Sequence, residues 1–181
     1  MFFKDLGDGF SVREVSAAEL RACLAQNFDS VFSNRLEVES VAAENVSKME
    51  KLAERRKADQ RFTLRMGVFH QDQMVGWHFG HATDAETYYM QNSAVLPEYR
   101  GKGLYGELLH CVLEKVKMEE FQVVTSIHHP NNPAVLIPKL KAGFIIAGMH
   151  FHERFRSLVE LRYIYDQERR KRFHRSLGLE F

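Results

Sequence analysis

Arg100-Gly101-Lys102-Gly103-Leu104-Tyr105-Gly106 brings three glycines and two cations together just before an apolar run. Glycine reaches positive φ and lets backbone amides approach a ligand closely. A helix that starts here would present unpaired N–H groups and about half a positive charge. Arg100 and Lys102 add mobile cations to that end. This set of residue types makes a cradle for an anion, and a pyrophosphate suits it.

Two nucleotide-binding patterns are excluded. Gly101, Gly103 and Gly106 spell GxGxxG, but Pro97-Glu98-Tyr99-Arg100 separates them from the strand they should follow directly. The next strand ends in His128-His129 instead of an acidic residue, and too little chain remains for a dinucleotide domain. No Lys-Ser or Lys-Thr follows the glycines, so the segment is not a P-loop.

Proton-handling candidates flank this region. Glu86 opens the strand expected over 87–96, and His128 closes the strand expected over 121–127. His128 shares a face with Ser126, and an ordinary histidine is a natural proton acceptor near neutrality. His78 and His81 fall on opposite faces of one strand, so at most one reaches a given cleft. Tyr89 sits mid-strand and reads as an aromatic core residue. No metal site is expected, because the histidines lack the spacing of a zinc site.

The elements that must position these residues follow from periodicity. Phe10–Val15 alternates as a strand, and Ser16-Ala17-Ala18-Glu19 fits a capping box opening a helix to about Gln26. A second helix is expected over 36–58, with Val38, Val41, Val46, Met49 and Leu52 inward. Two strands, 61–69 and 74–81, are joined by His70-Gln71-Asp72-Gln73. In the strand that follows, Gln91-Asn92-Ser93 interrupts the apolar pattern. Polar residues in a central strand predict that it splays from a neighbour there, freeing backbone groups for an extended ligand. Leu104, Leu108, Val112 and Val116, with Leu109 and Leu113, form a broad helical stripe. A short helix over 133–142 ends at Gly143, and 144–151 with 158–165 form a closing antiparallel pair. The predicted fold is a mixed, mostly antiparallel central sheet with helices on both faces.

The bulk numbers fit one domain over 1–181, with 167–181 as a basic tail. The chain has 181 residues, 45% apolar and 27% charged, with net charge +1. That charge gives no field for nucleic acid, and the tail lacks a stacking platform, so nucleic acid is not an expected partner. No secretory leader or membrane span is visible, and two distant cysteines read as core residues of a reducing, cytoplasmic compartment.

The stretch AVLPEYRGKGLYGELL resembles the acyl-coenzyme A motif of the GNAT N-acetyltransferase superfamily, and NNPAVLIPKLKAGF resembles its later motif. The resemblance implies acetyl-CoA, or another acyl-CoA, as co-substrate. It implies transfer to a small-molecule or protein amine by direct attack in a ternary complex. Val95 would offer backbone groups to the pantetheine arm. Arg100, Gly101, Lys102, Gly103, Leu104 and Tyr105 would wrap the pyrophosphate, and Asn132 would touch the cofactor. Glu86 and His128 are the candidate bases. Tyr105 departs from the pattern's Gly or Ala. Lys139 stands where many members carry the tyrosine thought to protonate the leaving thiolate. That departure keeps open a non-catalytic acyl-CoA-binding or regulatory module of the same fold. A homodimer is also left open.

Overall fold

The computed structural model describes residues 1–32, 50–51, 54–55, 58–153 and 155–178. The helix expected over 36–58 falls mostly outside them, as do Val38, Val41, Val46, Met49 and Leu52. Eight strands form one sheet: β1 (Phe3–Gly7), β2 (Phe10–Glu14), β3 (Thr63–His70), β4 (Gln73–Ala82), β5 (Thr87–Val95), β6 (Val123–His128), β7 (Ile145–His152) and β8 (Arg156–Ile164). Their spatial order is β1-β2-β3-β4-β5-β6-β8-β7. The pairs are antiparallel except β5 with β6. The described helices are α1 (Ala17–Val31), α2 (Leu104–Met118), α3 (Pro133–Lys141) and α4 (Gln167–Ser176). The mixed, mostly antiparallel sheet agrees with the sequence reading. Strand β1 was not anticipated, and β8 rather than β7 lies beside β6.

The capping box forms as its residues imply. Ser16 Oγ accepts from the Glu19 amide at 3.1 Å, and the Glu19 carboxylate accepts from the Ser16 amide at 2.8 Å. Helix α1 runs past Gln26 because apolar contacts continue: the Phe28 and Phe32 rings lie 4.8 Å apart, and Phe32 meets Trp77 at 6.5 Å. Trp77 and His78 point to opposite faces of β4. Trp77 faces the end of α1, while His78 shares its face with Tyr88, Met90 and Ser93 of β5 through the cross-strand register.

The parallel pair is short, and this sets up the site. Only Thr87↔Val123, Tyr88↔Val124 and Tyr89↔Thr125 are in register. On its other side β5 carries a bulge, since Gly80 pairs Met90 whereas Phe79 pairs Asn92, leaving Gln91 extra. A bulge bends its strand and increases local twist. Beyond Tyr89, β5 therefore leaves β6, and the splay predicted from Gln91-Asn92-Ser93 begins at Met90. Gly80 lies opposite the bulge, where a Cβ would collide with the Tyr89 carbonyl oxygen and the Tyr88 hydroxyl. Gly80→Ala is expected to destabilise the protein by about 1–3 kcal/mol, as overpacking of a close backbone approach does. A lower denaturant midpoint at unchanged slope would show it.

Candidate active site

The glycine loop lies at the end of β5 that has left β6. Pro97–Tyr99 forms a 3₁₀ turn, and Gly103 is the N-cap of α2. Gly101 and Gly103 have φ of 78° and 77°, and a Cβ at either would meet nothing within 4 Å. Glycine is therefore needed for conformation and not for space. The amides of Gly101, Lys102, Gly103, Leu104 and Tyr105 donate to no acceptor among the described residues. Five consecutive free N–H groups at a helix N-terminus make a ready anion site. Leu104 is buried and anchors the helix start, while Lys102 Nζ hovers 5.6 Å from the rings of both Phe10 and Tyr99. Arg100 folds back so that its Nε donates to the Val95 carbonyl at 3.1 Å. The Val95 carbonyl, expected to be offered to a ligand, already has this partner. Tyr105 turns inward, its hydroxyl buried without a hydrogen-bond partner, and burial raises its pKa.

A polar cluster occupies the apex of the splay. Lys139 of α3 is 1% exposed, and its Nζ donates to Ser126 Oγ at 2.7 Å and contacts Met90 Sδ at 3.3 Å. Met90 and Ser126 are the first residues past the last paired positions of β5 and β6. The ammonium also lies 5.0 Å from the Phe144 ring. No carboxylate among the described residues pairs with it. Burial alone pulls its pKa down to about 7.

Two histidines share this neighbourhood. His78 is fully buried, with Nδ1 2.7 Å from Ser93 Oγ and Nε2 2.7 Å from the Tyr88 hydroxyl. His128, at the end of β6, has a buried Nε2 without a partner. Burial first, and then the charge of Lys139, pull both pKa values down to about 3. The expectation that His128 would titrate near neutrality is thus overturned, and Lys139 is the cluster group that does so. Both histidines are neutral in the folded protein down to about pH 3 but protonate near pH 6.5 when unfolded. The unfolded chain binds more protons between these values, so stability is lost as pH falls through that window. Acid titration of the unfolding midpoint should show the loss, and His78→Gln should shrink it.

The other sequence candidates are dispersed. Glu86 precedes β5, at the end where β5 and β6 are still paired. The nine-residue strand puts it roughly 30 Å from the glycine loop. Its carboxylate is exposed and accepts from Arg169 Nη1 at 3.1 Å. It is not brought to the cleft. Tyr89 is partly buried, with a pKa raised by burial and its ring 5.7 Å from that of His81. Asn132 is the N-cap of α3, and its carbonyl accepts from Val135 and Leu136. Lys139 was not foreseen as part of the buried cluster. The available signal was its helical phase, three residues after Leu136 and three before Ala142, both packed against the core.

A parallel pair that opens, with free amides at its mouth and an amine at its apex, is an arrangement suited to an elongated ligand with an anionic end. The chain belongs to the acetyltransferase (GNAT) family, whose model matches residues 28–144. No curated protein sequence matches the chain. Among solved structures it is similar to the ribosomal-protein-S5-alanine acetyltransferase of Vibrio fischeri, with a TM-score of 0.66 at 13% identity, covering 92% of this chain and 98% of that one. It is also similar to a GNAT family acetyltransferase from Elizabethkingia anophelis with acetyl-CoA bound, with a TM-score of 0.59 at 14% identity, covering 87% and 99%. A third is spermidine N-acetyltransferase from Vibrio cholerae in complex with CoA and spermine, with a TM-score of 0.62 at 16% identity, covering 87% and 96%. At these identities the likeness establishes the fold.

Proposed function

We propose that the protein transfers an acetyl group from acetyl-CoA to an amine, by direct attack in a ternary complex. The observation that carries this reading is the opening between β5 and β6 with the glycine loop at its mouth. Family membership and the acetyl-CoA-bound relative support the donor. The pyrophosphate lies on the amides of 101–105, with Arg100 and Lys102 beside it. The pantetheine arm runs along the unpaired edge of β5, and Asn132 borders the cofactor. The thioester then reaches the apex near Lys139.

The amine attacks the thioester carbonyl, a C–N bond forms and the C–S bond breaks. The Lys139 ammonium gives its proton to the departing thiolate, at the position where many family members carry a tyrosine. The amine must also lose a proton, and we assign its acceptance to Nε2 of His128, which has no hydrogen-bond partner. Lys139 depresses the basicity of His128 while it is charged. Once Lys139 has donated, only this smaller part of the depression ends, while burial, the larger cause, still holds the His128 pKa down. Glu86, at the far end of β5, has no part in this scheme.

The acceptor class is open between small and protein amines, since one relative is named for a ribosomal-protein alanine and another for spermidine. We place the activity in one domain spanning the chain, and in the cytoplasm. Among the described residues no helix is long and apolar enough to cross a membrane. The test is thiol release from acetyl-CoA across polyamines, amino acids and alanine-terminated peptides. The active pair is then followed against pH. Turnover should rise as the acceptor amine deprotonates and fall above about pH 7 as Lys139 loses its proton. His128→Ala should lower turnover by about 10²–10⁴-fold, and Glu86→Gln should leave it unchanged. Tight coenzyme A binding with no thiol release for any amine would overturn the enzyme reading in favour of an acyl-CoA-binding module.

A further inference from the structure

Lys139 is a buried primary amine at the closed end of the opening, and no carboxylate among the described residues pairs with it. The groups facing it are Ser126 and His128 from β6, Met90 from β5, His78 from β4, itself bonded to the Tyr88 hydroxyl, and Phe144 after α3. None of them carries a negative charge. Ser126 Oγ holds Nζ at 2.7 Å, and the other close contact is the soft thioether of Met90 at 3.3 Å. The amine is therefore positioned but not neutralised by pairing. A lysine desolvated in this way keeps a substantial uncharged fraction near neutrality, and an uncharged lysine is a nucleophile.

We infer that Lys139 is itself an acyl acceptor: with acetyl-CoA bound and no amine substrate present, the acetyl group passes to Lys139 Nζ. The inference rests on the donor placement given above, which brings the thioester to the splay apex. The lone pair of Nζ attacks the thioester carbonyl, the N–C bond forms and the C–S bond breaks. The proton shed by nitrogen goes to the thiolate sulfur, so coenzyme A leaves as the free thiol. The product is an amide, which does not hand the acetyl group on. It removes the proton donor and fills the space meant for the next acetyl group. Lys139 thus makes the protein sensitive to donor supplied in excess of acceptor. An incoming amine competes for the same carbonyl and protects the enzyme.

Burial makes the site selective. At 1% exposure, Nζ is out of reach of reagents in bulk water, whereas the donor placement proposed above brings the thioester to it between β5 and β6. Lys102, Lys117 and Lys171, by contrast, are exposed and open to reagents in bulk water.

The experiment incubates the full chain with acetyl-CoA and no amine, at pH 6 and at pH 8.5. Intact mass and peptide mapping then locate any acetyl group. A parallel incubation uses the acetyl thioester of N-acetylcysteamine, which lacks the phosphates. The expected result is one acetyl group per chain on Lys139 from acetyl-CoA, forming at least tenfold faster at pH 8.5. Excess coenzyme A should slow it, and the truncated thioester should label exposed lysines first. Calorimetry on the same preparation reports donor binding. Saturable binding with Lys139 unmodified, or with surface lysines labelled first, would overturn this inference and leave the donor site standing. No detectable binding of acetyl-CoA or coenzyme A would overturn both.

Discussion

Lys139→Met is expected to lower turnover by about 10²–10⁴-fold while coenzyme A still binds, because the change removes the proton donor to the leaving thiolate. Methionine keeps the length and most of the volume of the buried stem, so α3 should stay packed. Stability offers a second readout with a definite sign. In the folded protein Lys139 releases its proton near pH 7, against 10.5 for an ordinary lysine. Between these values the unfolded chain binds the extra proton, so wild-type stability rises with pH across that window. The variant has no such group and should lose this part of the rise. Near pH 7 the gain from removing a buried amine is offset by leaving Ser126 without its partner, which costs about 1–3 kcal/mol. The difference in slope is therefore the sharper measurement. A variant with wild-type turnover would show that the thiolate leaves without help from α3.

The second large effect is expected at the glycine loop. Gly103→Asp places a carboxylate beside five free amides, where the pyrophosphate belongs. At 4–6 Å two unit charges repel by roughly 3–4 kcal/mol at an effective dielectric of 20, so coenzyme A affinity should fall by about 10²–10³-fold. Gly103→Ala separates charge from conformation. It bears the strain of positive φ without the charge, and should destabilise the protein by about 1 kcal/mol with most of the affinity kept. Calorimetry with coenzyme A on both folded variants decides between them. Equal affinity for Gly103→Asp and wild type would remove the loop from the donor site.

Much of the sheet was legible because its signals are local. Alternation marks β2, runs bounded by turns and Pro97 mark β3 to β5, the capping box marks α1, and the four-residue spacing of Leu104, Leu108, Val112 and Val116 marks α2. The anion loop was equally plain, since its glycines, cations and helix start are contiguous. Gln91-Asn92-Ser93 correctly pointed to a splay, although the bulge that drives it depends on the register with β4. The chemistry at the apex was harder to read. Met90, Ser126 and Lys139 come from three separate elements, and nothing local says that the lysine is desolvated. His128 was found by position but given an ordinary histidine's basicity, which burial and the neighbouring ammonium remove. Glu86 shows a different limit. It adjoins the central strand, but the glycine loop already marks the opposite, C-terminal end as the working end. Ligands of open sheets gather at the carboxyl ends of parallel strands, and applying that rule to β5 would have excluded it.

The chain has a single tryptophan, and its position gives the protein an optical property. Trp77 is fully buried, and its indole N–H donates at 2.7 Å to Asn92 Oδ1, a residue on the divergent part of β5. All tryptophan emission therefore arises from one indole in a buried, hydrogen-bonded setting, tethered to the strand that lines the opening. Intrinsic fluorescence should be blue-shifted and simple to interpret. A ligand that shifts β5 changes the environment of that one fluorophore directly, so occupancy of the opening can be followed by light without any added label.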